Sequence, residues 1–241
     1  MNPADLASRI DHTVLKPESQ FADVDRVIAE AIEHGFCSVC ISPVFVAHAR
    51  EKLRGTGVLV CTVCGFPHGT SKSIAKAIEA TGLVKDGADE VDVVAHLPYL
   101  ATGNLDAARA ELIELVRAVR AARRDVVVKV IVESGYLLSL GSDRGEAAIA
   151  LACRAVRESG CDFIKTSTGF HPTGGATVEA VRLMKKYGEG IRIKAAGGMR
   201  DLPSTLKMIE AGADRLGMSA SVAVVNELRS GSASPGGAAG Y

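Results

Sequence analysis

The sequence has no surplus of charge of either sign: 28 Lys and Arg stand against 28 Asp and Glu, a formal net charge of zero. A chain that binds nucleic acid or a membrane surface over a broad face needs a basic footprint, so neutrality speaks against both partners while leaving room for a local pocket that holds one phosphate. No basic stretch followed by an apolar core opens the chain, and no run of eighteen apolar residues occurs; the reading is a cytoplasmic protein with no signal peptide and no transmembrane helix. Tryptophan is absent and tyrosine occurs four times, in a composition that is otherwise ordinary for a globular protein, 47% hydrophobic and 23% charged. Single α/β barrels commonly reach 241 residues, so length alone does not separate one domain from two.

Six cysteines are present, and Cys37-x-x-Cys40 with Cys61-x-x-Cys64 has the outward look of a zinc ribbon. Both pairs sit in apolar β-like runs, where residues i and i+3 point to opposite faces and cannot chelate one ion. Buried structural thiols are the expectation, with a reactive cysteine as the alternative, and a cytosolic chain implies no disulfide framework.

Short β-branched runs alternate with longer amphipathic stretches. Strands are expected at 10–15, 37–41, 58–64, 90–95, 126–133, 163–167, 191–196 and 214–218, mostly as continuous apolar runs of the kind that parallel strands covered on both faces require. Helices are expected at 21–33, 44–53, 71–85, 106–121, 144–159, 177–187 and 202–210, with Ser71 and Asp201 as caps. Gly35, Gly87, Gly160 and Gly212 close helices just before strands. Eight strands in strict βα alternation predict a single (β/α)8 TIM barrel over residues 1–229. An open doubly wound sheet is the rival, but it would normally carry a glycine-rich dinucleotide turn after the first strand, and 10–17 has none. The stretch 230–241, SGSASPGGAAGY, reads as a flexible tail.

In such barrels chemistry lies at the C-terminal ends of the strands. A lysine within a strand is costly unless paired or functional, and Lys129, Lys165 and Lys194 qualify. Four strand-like residues follow Lys129, which places it roughly 13 Å below the rim as a structural charge paired with a carboxylate. Lys165 and Lys194 lie near the ends of adjacent strands. Two ammonium groups in one partly desolvated pocket repel, which predicts a depressed pKa for at least one and a free amine for imine formation with a carbonyl. Asp92, in the apolar run 90–94, needs a cationic partner and could relay protons. Gly169, Gly197, Gly198 and Ser219 follow the last three strands, where backbone N–H groups close on phosphate oxygens.

The segments 10–17 (IDHTVLKP), 65–69 (GFPHG), 90–94 (EVDVV), 129–135 (KVIVESG), 163–170 (FIKTSTGF), 194–200 (KAAGGMR) and 215–219 (RLGMS) together resemble the deoxyribose-phosphate aldolase family, over roughly residues 8–228 and in the family's order. The resemblance implies a class I aldolase that splits 2-deoxy-D-ribose 5-phosphate reversibly into D-glyceraldehyde 3-phosphate and acetaldehyde. It implies Lys165 as the Schiff-base lysine, Lys194 as the second lysine that perturbs it, and Asp92 as the proton-relay aspartate. It places the phosphate at Gly169, Gly197, Gly198 and Ser219, puts Thr13 and Cys40 in the pocket lining, and adds Thr166 to the substrate-binding set. Neither a metal nor an organic cofactor is implied, the partner is a small sugar phosphate, and a homo-oligomer, dimer or tetramer, is compatible. Some members of the family end in a tyrosine on a flexible tail, which makes Tyr241 a candidate proton shuttle. Two departures fall on the active-site face: 95–99 reads AHLPY where the family usually has an Asn-containing turn, and 137–146 looks like a lengthened loop.

Two rival functions stand beside this one. A metal-dependent aldolase or isomerase would draw on His12, His68, His96 and His171, although no HExxH motif is present. A non-catalytic sugar-phosphate sensor would be expected to have lost one of Lys165, Lys194 or Asp92, and all three are present.

Overall fold

The computed structural model describes residues 1–231. Eight strands, β1 (Ile10–Val14), β2 (Ser38–Ile41), β3 (Leu59–Cys64), β4 (Glu90–Val94), β5 (Val127–Ile131), β6 (Phe163–Lys165), β7 (Arg192–Ala196) and β8 (Arg215–Met218), pair in parallel in that order. The pairing of β1 with β8 closes the sheet into the expected (β/α)8 barrel. Each strand lies within two residues of its expected ends.

The helices are α1 (Pro3–Ala7), α2 (Phe21–His34), α3 (Val46–Lys52), α4 (Ser73–Asp86), α5 (Leu97–Ala101), α6 (Leu105–Ala122), α7 (Ser134–Leu138), α8 (Ser142–Glu158), α9 (Val178–Tyr187), α10 (Leu202–Ala211) and α11 (Ser221–Ser230). Among the described residues, no helix is long and apolar enough to cross a membrane. Helix α11 runs through Ser230, the first residue of the expected tail, and Tyr241 lies outside the described residues.

Two local expectations change. Helix α4 starts at Ser73 with Lys72 in the cap position, so Ser71 does not cap it. The stretch 137–146 is not a long loop. It holds the end of α7 and the start of α8, where Gly145 packs so closely on α7 that a Cβ there would sit 2.8 Å from the Leu137 carbonyl oxygen. Asp201 does cap α10, accepting from the Ser204 N–H at 2.7 Å. Gly87 ends α4 at φ 113°, in the left-handed region that favours glycine, and a Cβ there would meet the Arg50 side chain at 2.5 Å.

Alternation along the strands sorts side chains between two interiors. Val91, Val93, Val128, Val130, Ile164, Ile193, Ala195 and Leu216 face outward and pack with the helices in one continuous apolar core. Their neighbours face the barrel axis, and many are charged: Asp11, Glu90, Asp92, Lys129, Lys165, Lys194 and Arg215. A second buried charge pair lies between α4 and α6. Lys76 donates to Glu111 at 2.6 Å and to the Val94 carbonyl at 2.7 Å, while the other Glu111 oxygen accepts from the His96 N–H. This pair satisfies the backbone where β4 gives way to α5, on the active-site face.

Breaking the pair strands a charge. Glu111→Ala should cost about 3–5 kcal/mol in urea unfolding, and the double change Lys76→Met with Glu111→Leu should recover only part of that loss, because it leaves the Val94 carbonyl and the His96 N–H without their partners.

Candidate active site

Glu90 and Asp92 point the same way from β4, so both enter the barrel, and Asp92 stands where three lysines converge. Its Oδ1 accepts from Lys129 at 2.8 Å, and its Oδ2 accepts from Lys165 at 2.8 Å and from Lys194 at 2.6 Å. Lys194 also meets Asp11 at 2.5 Å, and Lys129 meets Glu90 at 2.5 Å. Below them Arg215 contacts Asp11 at 2.6 Å and Glu90 at 3.1 Å. Lys129 is thus the paired structural charge that its depth on the strand predicts.

Isolated charges are not stable in such a place, and these persist because each has an opposite partner. Burial alone would raise the Asp92 pKa, but Lys129, Lys165 and Lys194 outweigh it and hold the carboxyl well below the usual range. Asp11 is lowered in the same way, by Lys194, Lys129 and Arg215 acting against burial. Burial opposes the Lys194 charge, yet Asp11 and Asp92 hold it well above the ordinary lysine value. The expected mutual repulsion of the two lysines is therefore not what governs Lys194: a shared carboxylate between them reverses the sign. Lys165 differs in geometry. Among the described residues it has one carboxylate partner, and its side chain is 4% exposed, whereas those of Lys129 and Lys194 are fully enclosed.

Three glycines from two loops meet beside this cluster. A Cβ on Gly175 would lie 2.4 Å from the Gly197 carbonyl, and one on Gly197 would lie 3.1 Å from Gly175 and 3.5 Å from Gly169. Only bare backbone fits there, and the Ala176 N–H bonds back to the carbonyls of Ala196 and Gly197. Among the described residues, the N–H groups of Gly169, Gly197 and Gly198 have no protein acceptor. Clustered unpaired N–H groups of this kind form an anion-binding concavity. Ser219 and Thr13 line an adjoining cavity of about 470 Å³ that also carries Lys16 and Arg200. A second cavity, of about 370 Å³, is lined by Leu15, Val63, Phe66 and Phe170, and Leu15 stands between the two.

The remaining candidates divide. Cys40 is buried directly opposite Cys61 in the β2–β3 register, and the Cys61 thiol, despite burial, draws the Cys40 pKa down to about 7. Cys61 touches Asp92 while Cys64 faces Lys76 and Glu79 on the helix side, so the CxxC pair does straddle the sheet. The Thr166 hydroxyl is taken up by Ala196, bonding both its N–H and its carbonyl, and so braces β6 against β7. The four histidines go to separate partners. His12 lies between Ser221 and Glu30, His96 packs on Tyr99, His171 bonds Thr173, and His68 lines the second cavity. Among the described residues, the groups close enough to share an ion are Cys40–Cys61–Asp92 and Asp11–Cys61–Glu90, whose carboxylates are already bonded to lysines.

Sequence reasoning missed Asp11, Glu90 and Arg215. Asp11 and Glu90 carried the signal that singled out Asp92, an acid inside an apolar strand.

The cluster fixes a pH dependence of stability. Asp11 and Asp92 have lowered folded pKa values, so their contribution is complete above about pH 4 and is lost as pH falls toward those values. Lys194 and Lys129 are raised, so theirs is complete below about pH 10 and is lost above it. The urea midpoint should fall as pH drops below about 4 and again as it rises above about 10, and Asp11→Asn should weaken the acid limb.

Residues 6–227 match the family model described as DeoC/LacD family aldolase. The chain is 47% identical over 225 residues to the deoxyribose-phosphate aldolase of Caldanaerobacter subterraneus subsp. tengcongensis, covering 93% of this chain and 94% of that one. It is 46% identical over 226 residues to that of Mycolicibacterium paratuberculosis, covering 93% and 97%. Among solved structures it superposes on the aldolase QR15 with a TM-score of 0.84 at 39% identity, over 94% of this chain and 96% of that one. The tetrameric deoxyribose phosphate aldolase of Aeropyrum pernix gives a TM-score of 0.84 at 32% identity, over 95% and 93%. Agreement in sequence and in fold over nearly the whole chain has one reading: this protein belongs to the DeoC/LacD family of aldolases.

Proposed function

We propose that this protein is a class I deoxyribose-phosphate aldolase, cleaving 2-deoxy-D-ribose 5-phosphate reversibly to D-glyceraldehyde 3-phosphate and acetaldehyde through an imine on Lys165. One observation carries the assignment of roles: a single carboxylate oxygen, Asp92 Oδ2, accepts from both Lys165 and Lys194 beside a cradle of unpaired backbone N–H groups.

The reaction follows from those groups. The Lys165 amine, having shed its proton, adds to the C1 aldehyde, and loss of water leaves an iminium. The iminium withdraws the C2–C3 bonding electrons as the C3 hydroxyl gives up its proton. Glyceraldehyde 3-phosphate departs, leaving an enamine of acetaldehyde. Protonation at C2 and addition of water release acetaldehyde and the free amine. Two amines on one carboxylate oxygen form a short proton path between Lys165 and Lys194, with a water completing the reach to the substrate hydroxyl. The iminium keeps the positive charge that Asp92 already faces, so the charged intermediate meets a site arranged for it. The N–H groups of Gly169, Gly197 and Gly198, with Ser219, hold the phosphate, and Lys16 and Arg200 add positive charge beside Ser219. Assembly into a homo-oligomer is the corresponding reading for quaternary structure, supported by the relative described as tetrameric.

Borohydride reduction in the presence of acetaldehyde should add one ethyl group to the protein, and peptide mapping should find it on Lys165. Lys165→Ala should abolish both the adduct and turnover; near wild-type cleavage by that variant would end the imine mechanism. Lys194→Met should lower kcat by about 10²-fold or more, because it removes the second amine of the proton path, and stopped assays of aldehyde release will measure this.

A further inference from the structure

Glu133 is buried, sits in the left-handed region at φ 49° and ψ 60°, and has no part in the mechanism above. A non-glycine residue held in that conformation marks a position where the surroundings dictate the backbone. The surroundings here are the exits of two strands. The Val132 N–H donates to the Lys165 carbonyl and the Ser134 N–H donates to the Thr166 carbonyl, so the chain leaving β5 runs beside the chain leaving β6. Between those two bonds, Glu133 turns its side chain under the neighbouring loop, where one oxygen accepts from the Thr168 N–H. The helix that follows sits against the same loop, since a Cβ on Gly135 would lie 3.0 Å from the Thr173 carbonyl oxygen.

The consequence lies one residue further on. The Thr168 N–H is bound to Glu133, and the Phe170 N–H is bound to the Thr168 hydroxyl at 3.1 Å. Of these three successive amides, only that of Gly169 has no protein acceptor among the described residues. Gly169 is also the residue that packs on Gly197 across the cradle. With its two flanking amides tied, the Gly169 N–H has a fixed direction.

We infer that Glu133 is a positioning residue for the phosphate end of the substrate: its carboxylate takes the Thr168 N–H out of use and thereby aims the Gly169 N–H at the phosphate. The other Glu133 oxygen and the hydroxyls of Ser134 and Ser167, all buried on these two segments, have no protein partner among the described residues, so the carboxylate is not held by other side chains. The inference rests on the aldolase reading, and its test separates the two.

The experiment compares 2-deoxyribose 5-phosphate with 2-deoxyribose as substrates for wild type, Glu133→Gly and Glu133→Gln. Glycine accepts the left-handed backbone but offers no acceptor, whereas glutamine keeps the accepting oxygen. Glu133→Gly should raise KM for the phosphorylated sugar about tenfold or more with a much smaller change in kcat, and the preference for the phosphorylated over the free sugar should fall by about the same factor. Glu133→Gln should restore most of that preference. If Glu133→Gly fails to fold, Glu133→Asp, with its shorter reach to the Thr168 N–H, replaces it in the same comparison. An equal loss on both substrates, or an unchanged preference, overturns the inference. Failure of the aldolase reading would appear instead in the wild type, as no cleavage of the phosphorylated sugar.

Discussion

The carboxylate of Asp92 is the point on which the barrel interior turns. It is wholly enclosed and accepts hydrogen bonds from lysines on three successive strands, β5, β6 and β7. Elsewhere in this fold family of barrels, branched apolar side chains usually fill such a space. Filling it with charge imposes a stricter condition on register, because a slip of one residue would carry an acid or a lysine into the apolar layer beneath the helices. The same condition explains why the acids at 11, 90 and 92 and the cations at 129, 165, 194 and 215 form one network. With Lys165 as a free amine, three carboxylates face three cations. Gaining a proton or forming an iminium adds the fourth positive charge at Lys165, the one of the three lysines whose side chain is not fully enclosed.

Much of this arrangement was legible in the sequence because it depends on local pattern. Continuous runs such as 126–132 show that a strand is covered on both faces, and a lysine in such a run shows that something must balance it. Depth along the strand was enough to separate Lys129 from Lys165. The parts that could not be read depend on contacts between distant segments. Lys194 was expected to repel Lys165, because the Asp92 oxygen between them becomes visible only once β4 and β7 face each other across the barrel. The bonds from the Thr166 hydroxyl to Ala196 likewise exist only once β6 and β7 lie side by side. The helices α1, α5 and α7 have five residues each, too few for a helical period to show, so 137–146 resembled a loop.

The two walls of the active-site mouth are made from different material. On the side of β6 and β7, Gly169, Gly175 and Gly197 bring main chain against main chain, and the groups offered to a ligand are amides. On the side of β1 to β3, Leu15, Val63 and Phe66 present side chains, joined by Phe170, whose ring meets Phe66 edge-on at 5.3 Å.

The meeting of Gly169, Gly175 and Gly197 also bears on how this enzyme could evolve. The wall proposed to grip the anion is made of amides, so it offers variation no side chain to exchange. At Gly175 and Gly197, the shortest added side chain already collides with the neighbouring backbone. Drift toward new aldehydes therefore has only one wall to work on, and descendants of this chain would be expected to diverge in what they accept at one end of the substrate long before they lose their hold on the other.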